Sequence, residues 1–146
     1  MLTIFAISLN SCGIKKIVSE KEYLSLPLNE INLDKLGNGK ILFYNGDYYC
    51  PVVECGWTTK INVHLNEIPL GTINYNEYFI VELEKGNYNV KLKHWDAVNM
   101  KSEHQLSIDE NTKIVKLRTT AFSNDIEIVN ELPEGFRSYN YVEKKN

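Results

Sequence analysis

Neither sign of charge dominates this chain of 146 residues, in which 16 Lys and Arg stand against 19 Asp and Glu for a formal net charge of -3. The two signs are mixed along the chain, so it has neither the basic footprint of a nucleic-acid binder nor an acidic tail. Long apolar runs are missing as well. The longest, residues 2–9, falls far short of the ~20 residues that a membrane helix needs. Cysteine is scarce at three residues, too few for a disulfide-dense scaffold. No long stretch keeps a helical period. What remains is 43% hydrophobic and 24% charged, the composition of one ordinary folded domain. Disorder and fibrous repeats are excluded, a second full domain does not fit, and a chain of this length buries roughly two-thirds of its unfolded surface without metal bracing.

Catalytic signatures are also absent. The chain contains no Gly-x-Ser-x-Gly, no His-Glu-x-x-His and no glycine-rich phosphate loop. Its three histidines, His64, His94 and His104, are scattered without ligand spacing. His94 and His104 could face each other across adjacent strands with Asp96 or Glu103 nearby. A metal site needs three or four converging ligands, however, so ordinary exposed strand histidines are the expectation. Glu82 and Glu84, two residues apart, fit the solvated face of a strand. No catalytic residue, metal site or cofactor is expected, and the chain reads as a non-enzyme.

From Lys40 onward the sequence is written in short alternating segments separated by Gly, Asn, Asp and Glu. Strands are expected over residues 40–44, 59–65, 68–73, 78–83, 88–94, 104–108, 113–119 and 126–129. Ile61, Val63 and Leu65 share one face of the second, and Phe79, Val81 and Leu83 one face of the fourth. Pro69 and Gly71 assign 68–73 to an edge with a bend or bulge. The turn at Glu84-Lys85-Gly86-Asn87 suggests a hairpin over 78–93, with Tyr88, Val90 and Leu92 facing in and charged outer faces. A second pairing is expected across Asp109-Glu110-Asn111. This spacing of strands and turns predicts an all-β, antiparallel immunoglobulin-like or transthyretin-like β-sandwich over residues 38–130, followed by a tail, 131–146, that either packs or frays.

The stretch Asn66-Glu67-Ile68-Pro69-Leu70-Gly71-Thr72-Ile73, followed by residues 78–92 with Leu83, Gly86, Tyr88, Val90 and Leu92, resembles PEGA-type and carboxypeptidase-regulatory-like sandwich domains. It is also similar to an uncharacterised family of bacterial lipoprotein domains that share this pattern. The resemblance covers roughly residues 38–119 and concerns strand geometry rather than chemistry. It implies an extracytoplasmic β module and carries over no catalytic residue.

At the N-terminus an apolar stretch within the ~7 to 15 residues of a signal h-region ends in Leu9-Asn10-Ser11-Cys12-Gly13, which resembles the lipobox of bacterial lipoproteins. The resemblance implies that residues 1–11 are a signal peptide and that Cys12 becomes the acylated first residue, anchored stably because a lipoprotein cysteine carries more than one acyl chain. It places the protein in the bacterial cell envelope, with the outer membrane facing the periplasm or the surface as the expected site. No Lys or Arg precedes the apolar run, which leaves room for a start upstream of the first Met; the competing reading is a buried first strand. Residues 12–37, charged at Lys15, Lys16, Glu20, Lys21 and Glu22 and interrupted by Pro27, read as a tether.

With Cys12 acylated, Cys50 and Cys55 form an even pair in an oxidising compartment, which favours a structural disulfide. A redox pair is the alternative, although the Cys-x-x-x-x-Cys spacing is not that of a redox helix. Tyr44, Tyr48, Tyr49 and Trp57 surround these cysteines in the connection 45–58. Their rings either cap the core or form a binding loop of Tyr48, Tyr49 and Trp57 for another envelope protein or a glycan. The expected function is a lipid-anchored, non-enzymatic binding or scaffolding module; the alternative is an envelope redox or metal-handling factor using Cys50, Cys55 and the histidines.

Overall fold

A computed structural model describes residues 14–49, 59–95, 98–120 and 122–143. Cys12, Cys50, Cys55, Trp57 and Asp96 lie outside the described residues. Nine strands are described: β1 (Lys40–Asn45), β2 (Ile61–Leu65), β3 (Ile68–Ile73), β4 (Glu77–Glu82), β5 (Gly86–Trp95), β6 (Asn99–Ile108), β7 (Ile114–Thr119), β8 (Asn124–Ile128) and β9 (Asn140–Tyr141). They form a five-stranded sheet in the order β8-β7-β1-β4-β9 and a four-stranded sheet in the order β3-β2-β5-β6. The two sheets pack face to face as an all-β sandwich. Pairing is antiparallel except between β1 and β7 and between β4 and β9.

The interior follows the alternation in the sequence. Ile41 and Phe43 of β1, Phe79 and Val81 of β4 and Val115 and Leu117 of β7 meet Ile61, Val63, Leu65, Val90, Leu92, Leu106 and Ile108 of the other sheet. Between β2 and β3 the chain turns through Asn66 and Glu67, both at positive φ, the two-residue turn that suits the right-handed twist of a hairpin. β3 is an edge strand, and its register against β2 slips between Val63 and His64, leaving Leu70 as a bulge beside Gly71 at φ +120.

Two expected pairings are corrected. β4 and β5 do not form a hairpin, because β4 pairs with β1 in one sheet while β5 pairs with β2 and β6 in the other. The same holds across Asp109-Glu110-Asn111, where β6 stays with β5 and the chain crosses to place β7 beside β1 and β8. The turn itself is built as expected, with the Asp109 carboxylate accepting from the backbone N–H groups of Asn111 and Thr112 at 2.9 and 2.8 Å. A hairpin and an arch between sheets leave the same alternating pattern, since the apolar residues of both strands point at the core either way. The stretch 66–92 therefore has β3 and β5 in one sheet and β4 in the other.

A third layer covers the outer face of the five-stranded sheet. Leu42, Tyr44, Tyr78, Ile80 and Ile114 are buried there under Ile31, Leu36, Phe136 and Tyr139. This is why β1 reads Ile-Leu-Phe-Tyr without a polar break: strands covered on both faces lose their alternation. Each large side chain so buried contributes roughly 1.5–3 kcal/mol. The charged outer face expected for 78–83 is thus corrected, and so is the tether. Residues 14–37 lie on the sandwich instead of reaching away from it, because their apolar residues have a sheet face to cover. The C-terminal tail packs likewise, with Val142 N donating to Tyr78 O at 2.9 Å.

Candidate functional site

The N-terminal segment is held as a strap along one side of the sandwich, between the edge strand β3 of one sheet and the part of β4 that lies beyond the short β9 pairing in the other. Asn62 Nδ2 donates to Lys15 O at 2.9 Å, and Ile17 N to Thr72 Oγ1 at 2.9 Å. Thr72 Oγ1 donates in turn to Asn62 Oδ1 at 2.5 Å. Glu20 N donates to Pro69 O at 2.9 Å and Leu24 N to Ile80 O at 2.8 Å, so the strap passes from one sheet to the other. At the crossing point the Tyr23 ring stacks on Phe79 with centroids 4.9 Å apart, and its hydroxyl donates to Leu70 O. Burial pushes the Tyr23 hydroxyl up to about 12.

One end of the sandwich gathers the ends of β1, β3, β5 and β7 and the beginnings of β2, β4, β6 and β8, and the strap enters at this end beside Asn62. Its frame is dense. Asn45 Nδ2 donates to Thr59 O at 2.7 Å, joining the two sides of the 46–58 connection. Tyr48, expected in the binding loop, packs inward: its hydroxyl donates to Asn45 Oδ1 at 2.8 Å, lies 3.3 Å from Thr119 Oγ1, and its ring meets Tyr75 edge-on at 5.2 Å. It is a framework residue, drawn in because its hydroxyl finds buried partners. Burial raises the pKa of its hydroxyl. Tyr44 is buried against Tyr139. Of the aromatic loop residues expected to bind, Tyr49 stands free at 86% exposure, and Trp57 lies outside the described residues.

The histidines are not arranged as expected either. In the β5–β6 ladder His94 lies opposite Met100 and His104 opposite Val90, so the two do not face each other. His94 is buried rather than exposed, with Nδ1 2.6 Å from Asn124 Oδ1. Asn124 Nδ2 donates at 3.4 Å to Leu92 O, which makes the pair a polar tie between β5 and the β8 edge. His104 Nε2 lies 2.8 Å from Ser102 Oγ. Among the described residues no three His, Cys, Asp or Glu side chains are grouped to hold a metal ion.

Two further residues at this end were not singled out in the sequence. Phe122, in the β7–β8 turn, is 87% exposed, and Val98, before β6, is 59% exposed. The signal was a bulky apolar side chain inside a short turn, where neither strand burial nor turn geometry calls for one. Among the described residues Asp47 pairs with Lys116 at 3.2 Å and Asp125 with Arg118, while Lys15 and Lys16 are exposed.

The opposite end differs. A recess of about 980 Å³ opens there among Lys21, Glu82, Glu84, Lys85, Asp109 and Glu110, with Leu83 and Tyr88 between them, a lining more polar than that of a typical small-molecule pocket. The cleft between the strap and residues 141–143 holds about 240 Å³, less than the roughly 300 Å³ at which such pockets begin. No protein-family model, no curated protein and no solved structure matches the chain.

Proposed function

We propose that this chain is a lipid-anchored protein of the bacterial cell envelope, acylated at Cys12, whose β-sandwich is a non-enzymatic binding or scaffolding module presenting its loop end to another envelope component. The observation that carries the proposal is Leu9-Asn10-Ser11-Cys12-Gly13, small residues and a cysteine at the end of an apolar leader. It is supported by the hydrogen bonds described for the strap, at Lys15, Ile17, Glu20 and Leu24, which all belong to residues that a mature chain starting at Cys12 keeps. Support for a binding rather than catalytic role comes from the loop end itself, where described buried polar groups tie strands together and Tyr49, Val98 and Phe122 are exposed apolar groups. Cys50 and Cys55 are proposed to pair and brace the connection that Tyr49 opens. Fractionation of a Cys12→Ser variant after an alkaline carbonate wash, which strips peripheral protein, tests the anchor: the washed membranes should lose the variant but keep the parent, and retention of the variant through the wash would refute the reading.

A further inference from the structure

Among the described residues, exposed apolar groups at the loop end are carried by three different connections. Tyr49 follows β1, Val98 lies between β5 and β6, and Phe122 lies between β7 and β8. None fills the core, and exposed apolar side chains gathered at one end of a domain, unlike ones scattered singly, mark a surface made for contact. The strap begins at this same end. Two residues, Gly13 and Ile14, separate Cys12 from Lys15, whose carbonyl is fixed to Asn62, so a lipid on Cys12 cannot be farther than about 10 Å of chain from the loop end. At the far end the exposed large apolar side chains among the described residues, Leu33, Ile68 and Ile128, are only 36%, 39% and 38% exposed.

We propose that the loop end lies on the lipid bilayer, with Phe122, Val98 and Tyr49 entering its interface and Lys15 and Lys16 meeting anionic headgroups. The proposal rests on the Cys12 reading and names the envelope component met by that end. A docked strap turns the lipid anchor from a tether into a hinge: the domain is held with one end down, where a free linker of 25 residues would let it tumble. Aromatic rings at the headgroup level and lysines beside them are the side chains that interfaces select. Each apolar residue adds to an attachment that the acyl chains begin.

The test uses the full chain bearing Cys12→Ser, free of lipid, sedimented with vesicles of phosphatidylglycerol and phosphatidylethanolamine. It should pellet with them at millimolar lipid. Phe122→Ser in the same background should weaken that association on the order of tenfold, while Ile68→Ser, at the opposite end, leaves it unchanged. Hydroxyl-radical footprinting of the lipidated protein on the same vesicles should show Phe122 and Tyr49 shielded relative to the lipid-free chain. Loss of the Phe122 effect, or equal labelling on and off vesicles, overturns the proposal. Shielding of Phe122 that grows with protein concentration in the absence of vesicles also overturns it, by assigning the surface to a second copy of the chain. Capture of a protein or glycan that Phe122→Ser abolishes while vesicle binding persists overturns it as well. The anchor is read separately, from the mass of Cys12 in membrane-extracted protein. An unmodified Cys12 with the Phe122 effect intact removes the anchor and leaves the membrane-facing end.

Discussion

Tyr23→Ala is the substitution that decides whether the strap belongs to the fold. The ring stacks on Phe79 at 4.9 Å with the planes 11° apart and meets Tyr141 edge-on at 6.4 Å, while its hydroxyl donates to Leu70 O. Truncating a fully buried aromatic residue costs about 3–5 kcal/mol. Tyr23 is half-buried, so roughly 2 kcal/mol is expected from the ring and about 1 kcal/mol more from the hydrogen bond to a carbonyl. The total, about 3 kcal/mol, should appear in urea denaturation as a lower midpoint at unchanged slope. Tyr23→Phe should cost about 1 kcal/mol alone. Gly71 supplies a check: it sits at φ +120, and a Cβ there would run into the Tyr23 hydroxyl. Gly71→Ala should therefore destabilise, and combining it with Tyr23→Ala should cost less than the two separately. A Tyr23→Ala protein within about 0.5 kcal/mol of the parent would refute the argument, for residues 14–24 would then be a tether after all.

Burial raises the hydroxyl pKa of Tyr23 and of Tyr139 to about 12, and that of Tyr44 upward as well. Unfolded tyrosines ionise near ~10 and release protons first, so stability should be full below pH ~10 and fall as pH rises towards 12; urea midpoints across that range, with a shallower fall for Tyr23→Phe, check it. Gly39→Ala should destabilise by several kcal/mol, read as a lower Tm. Its residue holds φ +90, and a Cβ would stand 2.7 Å from Leu83 O, backbone that cannot rotate away. Asn124→Ala strips His94 Nδ1 of a buried partner and should cost about 2–3 kcal/mol in chemical denaturation, whereas Phe122→Ser, two residues away and exposed, should cost less than about 0.5.

The strands were legible because alternation reports which side chains face a core, and Ile61-Asn62-Val63-His64-Leu65 says so in five residues. Which sheet each strand joins was not. The inward faces of β4 and β5 are the same whether the chain folds back on one sheet or arches to the other, and local periodicity holds no record of that choice. The third layer had left a trace: the unbroken apolar run of β1 required a second cover, which the isolated Leu24, Leu26, Leu28 and Ile31 could supply. Polar residues between them hid it, since an extended strap buries only some of its side chains. The candidate site was half legible. Tyr49 stood out by composition, but Tyr48 in the same tyrosine pair turned inward, and only the partners Asn45 and Thr119, brought together by the β1–β7 pairing, decide between the two.

The central claim, a sandwich anchored through Cys12, is tested most directly by the intact mass of the protein extracted from membranes with detergent. The account predicts a mature chain that begins at Cys12, lacks residues 1–11 and carries added mass equal to its acyl groups, lost from the Cys12→Ser variant. A chain that retains residues 1–11 with an unmodified Cys12 thiol would contradict it.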